Sequence, residues 1–300
     1  MAGFWAKGLV GLIVVAAAAT GARGALIAAD GFETYAVGSQ LGSANGGYNW
    51  SGAWRTDATY GATATVQSKS LVYSNGSVYV SGGSQAVRIA NVTTNGQIQL
   101  AGRNFASQTG TVYFSFLFLA DPTTTPVTAD GASDGDYSQF GLDNSATGIP
   151  NPRVSVGHNS TTSVNDHSFF ARVGTSAGNS TFWNQGTHFV DGQGNPTPYF
   201  VVAKVSKVSN ANYNRVDMFI NPSTTTEPGS PSAFYYKSTV NSGMADVSEF
   251  CVRLSFLEST DRYYVDEVAV GDSFASVVPE PATLALLGLG LGGMLLRRRR

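Results

Sequence analysis

The chain has 300 residues with 18 basic and 20 acidic side chains, a net charge of −2 and one cysteine, Cys251. That balance offers no basic surface for a polyanion, so nucleic acid is not an expected partner. A lone cysteine excludes an internal disulfide and leaves packing or bound ions to stabilise the fold.

The first segment is short, positive and then apolar. Lys7 and the N-terminal amine precede the apolar stretch Gly8 to Ala19, which is too short for the roughly 20 residues of a membrane span. Ala22-Arg23-Gly24 offers a small-residue cleavage site before Ala25, and the composition turns polar at Asp30. Residues 1–24 therefore read as a helical signal peptide addressed to the Sec export machinery.

Residues 25–278 read as one β domain. Val112, Phe114, Phe116 and Phe118 alternate with Tyr113, Ser115, Leu117 and Leu119, so both faces of a central strand are apolar. Tyr199 to Val205 and Arg215 to Ile220 repeat the alternation. Phe250, Val252, Leu254 and Phe256 point one way while Arg253 and Ser255 point the other, and Tyr263 to Val270 makes a last strand. Gly, Asn, Ser, Asp and Pro separate these runs, as turn chemistry requires. No helical stripe interrupts them. The expected class is all-β, an antiparallel two-sheet jelly-roll sandwich. Asp121 to Thr128 and Asn221 to Pro231 read as long surface loops rather than linkers.

Two segments bracket this domain. Asp30-Gly31-Phe32-Glu33-Thr34-Tyr35 and Gly46-Gly47-Tyr48-Asn49-Trp50-Ser51-Gly52-Ala53-Trp54 open it, and Tyr264-Val265-Asp266-Glu267-Val268-Ala269-Val270-Gly271 closes it. Together they resemble the concanavalin A-like (LamG-like) domains of exported proteins. The resemblance implies that the first and last strands lie side by side, with Ala28 to Phe32 near Val265 to Val270. Trp50 and Trp54 are expected to pack.

The candidate chemistry is sparse. Gly131-Ala132-Ser133-Asp134-Gly135 has the letters of a serine-hydrolase elbow, but Thr/Pro-rich sequence stands where that elbow needs a strand. Asp130, Asp134 and Asp136 form an acidic loop that is a candidate calcium site, because calcium takes carboxylate and carbonyl oxygens on an adaptable loop. No other cofactor is expected. His158, His167 and His188 lack metal-ligand spacing. The glucanases related to concanavalin A-like sandwiches carry Glu-x-Asp-x-x-Glu on one strand, and none of the six glutamates here forms it. Asp266 and Glu267 are adjacent, so on a regular strand they face opposite ways and cannot flank one bond. Asp266 is expected instead to anchor the last strand by hydrogen bonds. Trp183, in the polar stretch Asn179 to Gly186, is the candidate for stacking on a sugar ring.

The tail carries the most specific pattern. Pro279-Glu280-Pro281 precedes an apolar run, Ala282 to Leu296, and then Arg297, Arg298, Arg299 and Arg300. Fifteen helical residues reach about 22 Å, a marginal transmembrane helix for a hydrocarbon core of about 30 Å. The arginines hold their end on the cytoplasmic side of the inner membrane. Residues 279–300 resemble the PEP-CTERM sorting signal of Gram-negative bacteria with exopolysaccharide systems. That resemblance implies an exosortase as partner, recognition at Pro279-Glu280-Pro281, loss of the tail, and release or attachment at the cell surface. Without Lys7, Arg23, Glu280 and the four arginines, the chain keeps 12 basic and 19 acidic residues, a net charge of −7. The expectation is a non-catalytic surface or matrix protein that binds exopolysaccharide glycans. The alternative is a secreted carbohydrate-active enzyme with an atypical site.

Overall fold

The computed structural model describes residues 24–57, 63–90, 97–120, 137–144, 151–160, 167–183, 197–257 and 262–279. The strands are β1 (Leu26–Asp30), β2 (Arg55–Asp57), β3 (Thr63–Gln67), β4 (Val72–Asn75), β5 (Val78–Ser81) and β6 (Ala86–Ala90). They continue with β7 (Gln97–Gln108), β8 (Val112–Ala120), β9 (Tyr137–Asp143), β10 (Val154–Ser160), β11 (His167–Val173) and β12 (Ser180–Trp183). The last are β13 (Tyr199–Ser206), β14 (Arg215–Ile220), β15 (Ala233–Tyr236), β16 (Val247–Leu257) and β17 (Arg262–Gly271), followed by the one-turn helix α1 (Phe274–Val277). Among the described residues no helix is long and apolar enough to cross a membrane. The signal segment up to residue 23 and the tail from Glu280 onward lie outside the described residues.

All the pairings are antiparallel, and the strands form an all-β jelly-roll sandwich. One sheet runs β15-β14-β13-β8-β17-β6-β3, with β1 also on β17; the other runs β12-β11-β10-β9-β16-β7-β2. The register follows the alternation in the sequence. Phe114, Phe116 and Phe118 on β8 face the second sheet, where Phe116 stacks on Phe140 of β9 at 4.1 Å between ring centroids. Phe118 meets Phe140 and Phe169 edge-on. Such pairs add about 0.5–1.5 kcal/mol each beyond the area they bury. Every residue of β8 is buried, as expected for a central strand with two apolar faces.

Part of the outer face of the eight-stranded sheet is itself covered. The β4–β5 hairpin lays Tyr73, Val78 and Val80 inward, and Tyr73 packs on Phe200 of β13 at 5.7 Å. Helix α1 covers the same face further along. Phe274 touches Tyr113 and Phe219, and the Val277 carbonyl accepts from Ser115 Oγ at 2.7 Å. This third layer explains why Leu117 and Val202, which point away from the sandwich interior, are fully buried.

The first and last strands pair as expected, with Ala28 opposite Val270 and Asp30 opposite Val268. Asp30 then does something the pattern does not announce. Its carboxylate crosses the interior to Arg103 of β7 in the other sheet, with Nη1 to Oδ2 at 2.7 Å and both side chains about 1% exposed. Tyr35 Oη (2.6 Å), Trp54 Nε1 (2.8 Å) and the Phe32 amide (3.0 Å) also donate to Asp30. Arg103 gives its remaining donors to the Gly52 carbonyl and Asn45 Oδ1, and lies over the rings of Trp50 and Trp54. The opening segment is thereby folded over the end of the sandwich, and both tryptophans pack as expected.

Near the end of β17 the register slips between Asp266 and Ala269, and Glu267 takes a left-handed φ of 49°. Asp266 does not anchor the strand through a set of hydrogen bonds. Its one partner among the described residues is the neighbouring Glu267 amide, 2.8 Å from Oδ1.

Removing one member of a buried ion pair strands the other charge, at a cost of about 3–5 kcal/mol. Arg103→Met should lose stability of that order in urea unfolding. Lys204→Met, which breaks a half-exposed pair with Glu227, should cost less than about 1 kcal/mol.

Candidate functional site

The β4–β5 hairpin and α1 cover only part of the outer face of the eight-stranded sheet, and its β14–β15 margin, where Phe234 and Tyr236 share a face with Asp217 and Phe219, stays exposed. On the outer face of the seven-stranded sheet Gln139, Phe170, Arg172 and Cys251 are buried. Strand parity fills that outer face. Register places Arg55, Gly102, Cys251, Gly141, Ser155, Arg172 and Ser180 in one row across all seven strands. The next row holds Arg253, Gln139, Gly157, Phe170 and Phe182. Arg172 lies over Phe170 and Tyr137 at 4.6 and 5.1 Å and donates to Tyr137 Oη and Ser180 Oγ. Arg253 also stands over Tyr137, at 5.6 Å, and its Nε finds no hydrogen-bond acceptor among the described residues. Burial holds the Arg172 guanidinium below its usual range and the Tyr137 hydroxyl above its own.

At one end of this face two carboxylates stand directly opposite each other, Glu249 on β16 and Asp143 on β9. Cβ atoms so placed lie about 4.5–5.5 Å apart. Arg55 donates to Glu249, and Arg153 clamps Asp143 through Nε and Nη2 at 2.8 and 2.6 Å. Both carboxylates are fully buried. Burial, more than the opposing pull of Arg55, lifts Glu249 from 4.5 to about 7, and its Oε2 is unpartnered among the described residues. Cys251 beside them is buried, and burial pushes its thiol well above the ordinary value, so it is a structural cysteine rather than a nucleophile.

The open side holds exposed aromatic rings. The terminal strands β12 and β15 meet there, tied by Tyr235 Oη donating to Asn179 Oδ1 at 3.0 Å. Between them runs a groove of about 460 Å³ lined by Thr181, Phe182, Ser232, Phe234, Tyr236 and Lys237, among others. Phe182, Phe234 and Tyr236 are 46%, 47% and 36% exposed. The Arg215 guanidinium lies 4.9 Å from the Phe234 ring and is held by Asp217, so one wall of the groove is fixed.

The sequence candidates fall in different places. Trp183 is opposite Phe169 on the core-facing side of β12, and its indole packs against that ring at 6.4 Å, partly buried. Its neighbour Phe182 is the residue that points outward. Parity alone could not choose between them, because both are aromatic and the inward one is set by pairing with β11. His158 is buried among Phe118 and Phe169 in the core. Asp130, Asp134, Asp136, Ser133 and His188 lie outside the described residues, as do Glu280, Pro281 and Arg297 to Arg300. Pro279 is exposed at the end of the described chain.

Residues 277–300 match the PEP-CTERM protein-sorting motif. No curated protein matches the chain. Among solved structures it is similar to the globular domain of T. cruzi calreticulin, with 12% identity and a TM-score of 0.39 over 73% of this chain and 84% of that one. It is also similar to the exoplasmic/lumenal domain of VIP36. In the metal-free form the identity is 10% and the TM-score 0.39, over 78% and 90% of the two chains. In the Ca²⁺-bound form the values are 10% and 0.38, over 79% and 88%. The sandwich itself stands on the strand pairings above. The sorting motif indicates export and sorting to the cell envelope or surface.

The raised Glu249 carboxyl has a signed consequence. Between its ordinary 4.5 and about 7 the folded form keeps a proton that the unfolded form has lost. Stability therefore falls as pH rises through that window. Glu249→Gln removes this contribution, so the variant should gain on the wild type as chemical denaturation is repeated from about pH 5 to about pH 8.

Proposed function

We propose that this chain is a non-catalytic surface or matrix protein that an exosortase sorts and that binds neutral exopolysaccharide glycans along the groove between β12 and β15. The sorting motif supports the destination, and the exposed rings of Phe182, Phe234 and Tyr236 carry the binding reading. A pyranose presents an apolar C–H face and a rim of hydroxyls. Aromatic rings take the first, and Thr181, Ser232, the Tyr236 hydroxyl and Lys237 stand ready for the second. The rings sit on terminal strands whose partners are fixed by register, so little entropy is lost on binding. A net charge of −7 on the trimmed chain favours a neutral glycan over an acidic one. Residues 1–24 act as the export signal, and the tail is a temporary helix in the inner membrane.

A polysaccharide panel with purified protein tests the binding. Phe182→Ala and Phe234→Ala, with unchanged circular dichroism, should each weaken binding about tenfold, the loss of one stacked ring. Wild-type protein that binds no glycan, or variants that bind equally well, would overturn the assignment. Replacing Glu280 by Ala in the cell should leave the tail attached, seen as an unshortened, membrane-associated chain by mass spectrometry.

A second reading, a carbohydrate-active enzyme, draws on one observation, the facing Glu249 and Asp143. A retaining glycosidase holds its carboxyls about 5 Å apart with one of them protonated near neutral pH. Both groups here are buried beneath arginines, which is why binding is preferred. Release of reducing ends from a polysaccharide, abolished by Glu249→Gln, would reverse that preference.

A further inference from the structure

Five acidic side chains are buried among the described residues, and four of them have an arginine. Asp30 has Arg103, Asp143 has Arg153, Asp217 has Arg215 and Glu249 has Arg55. Asp266 is the exception. It is 0% exposed, its Oδ1 takes the Glu267 amide, and its Oδ2 has no hydrogen-bond partner among the described residues. The charged groups that act on it are Glu267, Glu33 and Asp30, all acidic. Of these, Asp30 already has its base.

The geometry around Asp266 is also specific. Its Oδ2 presses so closely on the turn after β5 that a side chain at Gly82 would meet it at 1.7 Å. At the next residue, Gly83, a side chain would meet the Glu33 carboxyl at 2.6 Å. One at Gly31 would meet Glu267 Oε1 at 2.7 Å. Three carboxylates thus converge on bare backbone from the opening segment and the last strand. The irregular register of β17 and the left-handed Glu267 allow neighbours in sequence to approach one locality, against the expectation that they face apart.

We propose that Asp266, Glu267 and Glu33 form a calcium-type cation site that joins the opening segment, the Gly82–Gly83 turn and the last strand. A hard divalent cation takes six to eight oxygens from carboxylates and backbone carbonyls. It would supply the positive charge that every other buried carboxylate here receives from arginine. Among the described residues no three such side chains already stand at metal-cage spacing. Asp266 is the fixed member, and Glu33 is held at the turn by the Ser84 and Gln85 amides and Ser84 Oγ, so binding draws in Glu267.

The test uses the full chain after chelator treatment, with CaCl₂ or MgCl₂ as the probe. Calcium at about a hundred times its Kd should raise the thermal midpoint by roughly 5–10 °C. Titration calorimetry should show saturable binding. Asp266→Asn should abolish both responses, and the exposed Glu33→Gln should weaken binding at least about tenfold without unfolding the protein. Asp134→Asn, in the separate acidic loop, should leave the response intact. The proposal fails if the wild type shows neither shift nor heat, or if the response survives Asp266→Asn. Should that variant not fold, unchanged affinity in Glu33→Gln and Glu267→Gln would overturn it instead.

Discussion

The structure depends first on the ion pair between Asp30 and Arg103. It is the point at which the beginning of the domain is fastened across the interior to the opposite sheet. A buried pair of this kind adds little net stability by itself, since desolvation offsets attraction. Its value lies in what it forbids. Asp30 satisfies its oxygens with Arg103, Tyr35, Trp54 and the Phe32 amide, and only one path of residues 30–54 brings all of these together. That path carries Glu33 to the turn after β5 and Trp50 over Arg103, so two distant regions take their places from one contact.

The second constraint is asymmetry between the sheets. A strand buried on both faces, such as β8, needs cover on each side. The β4–β5 hairpin and α1 provide it on the outer face of the eight-stranded sheet. That cover stops short of β15, so Phe234 and Tyr236 stay exposed at the margin of the face, next to the side where β12 ends. There the aromatic rings stand in water, while the arginines, Tyr137 and the facing carboxylates of the neighbouring surface are largely satisfied by one another.

Much of this was legible in the chain. Period-two alternation in Val112 to Leu119, Tyr199 to Val205 and Phe250 to Leu254 marked the strands and their inward residues. The likeness of the opening and closing segments placed β1 beside β17. Other features were not legible. Phe182 and Trp183 are both aromatic, and which one faces the core is decided by pairing with β11 some ten residues away. Phe234 and Tyr236 alternate with Ala233 and Tyr235, and neither pair looks more exposed than the other. Simple parity sets Asp266 and Glu267 on opposite faces, and the register slip after Asp266 with the left-handed Glu267 overrides that parity.

Local rules act on neighbouring residues. Side-chain parity, turn residues and an apolar run between Pro279-Glu280-Pro281 and four arginines are all local, and from them come the β architecture and the export address. Long-range contacts obey no such spacing. Asp30 meets Arg103 across 73 residues, Arg55 meets Glu249 across 194, and the groove is built from strands more than fifty residues apart. Which carboxylates are partnered, and which ring is left in water, is fixed only when the two sheets close on each other, because desolvation and pairing do not exist before that moment.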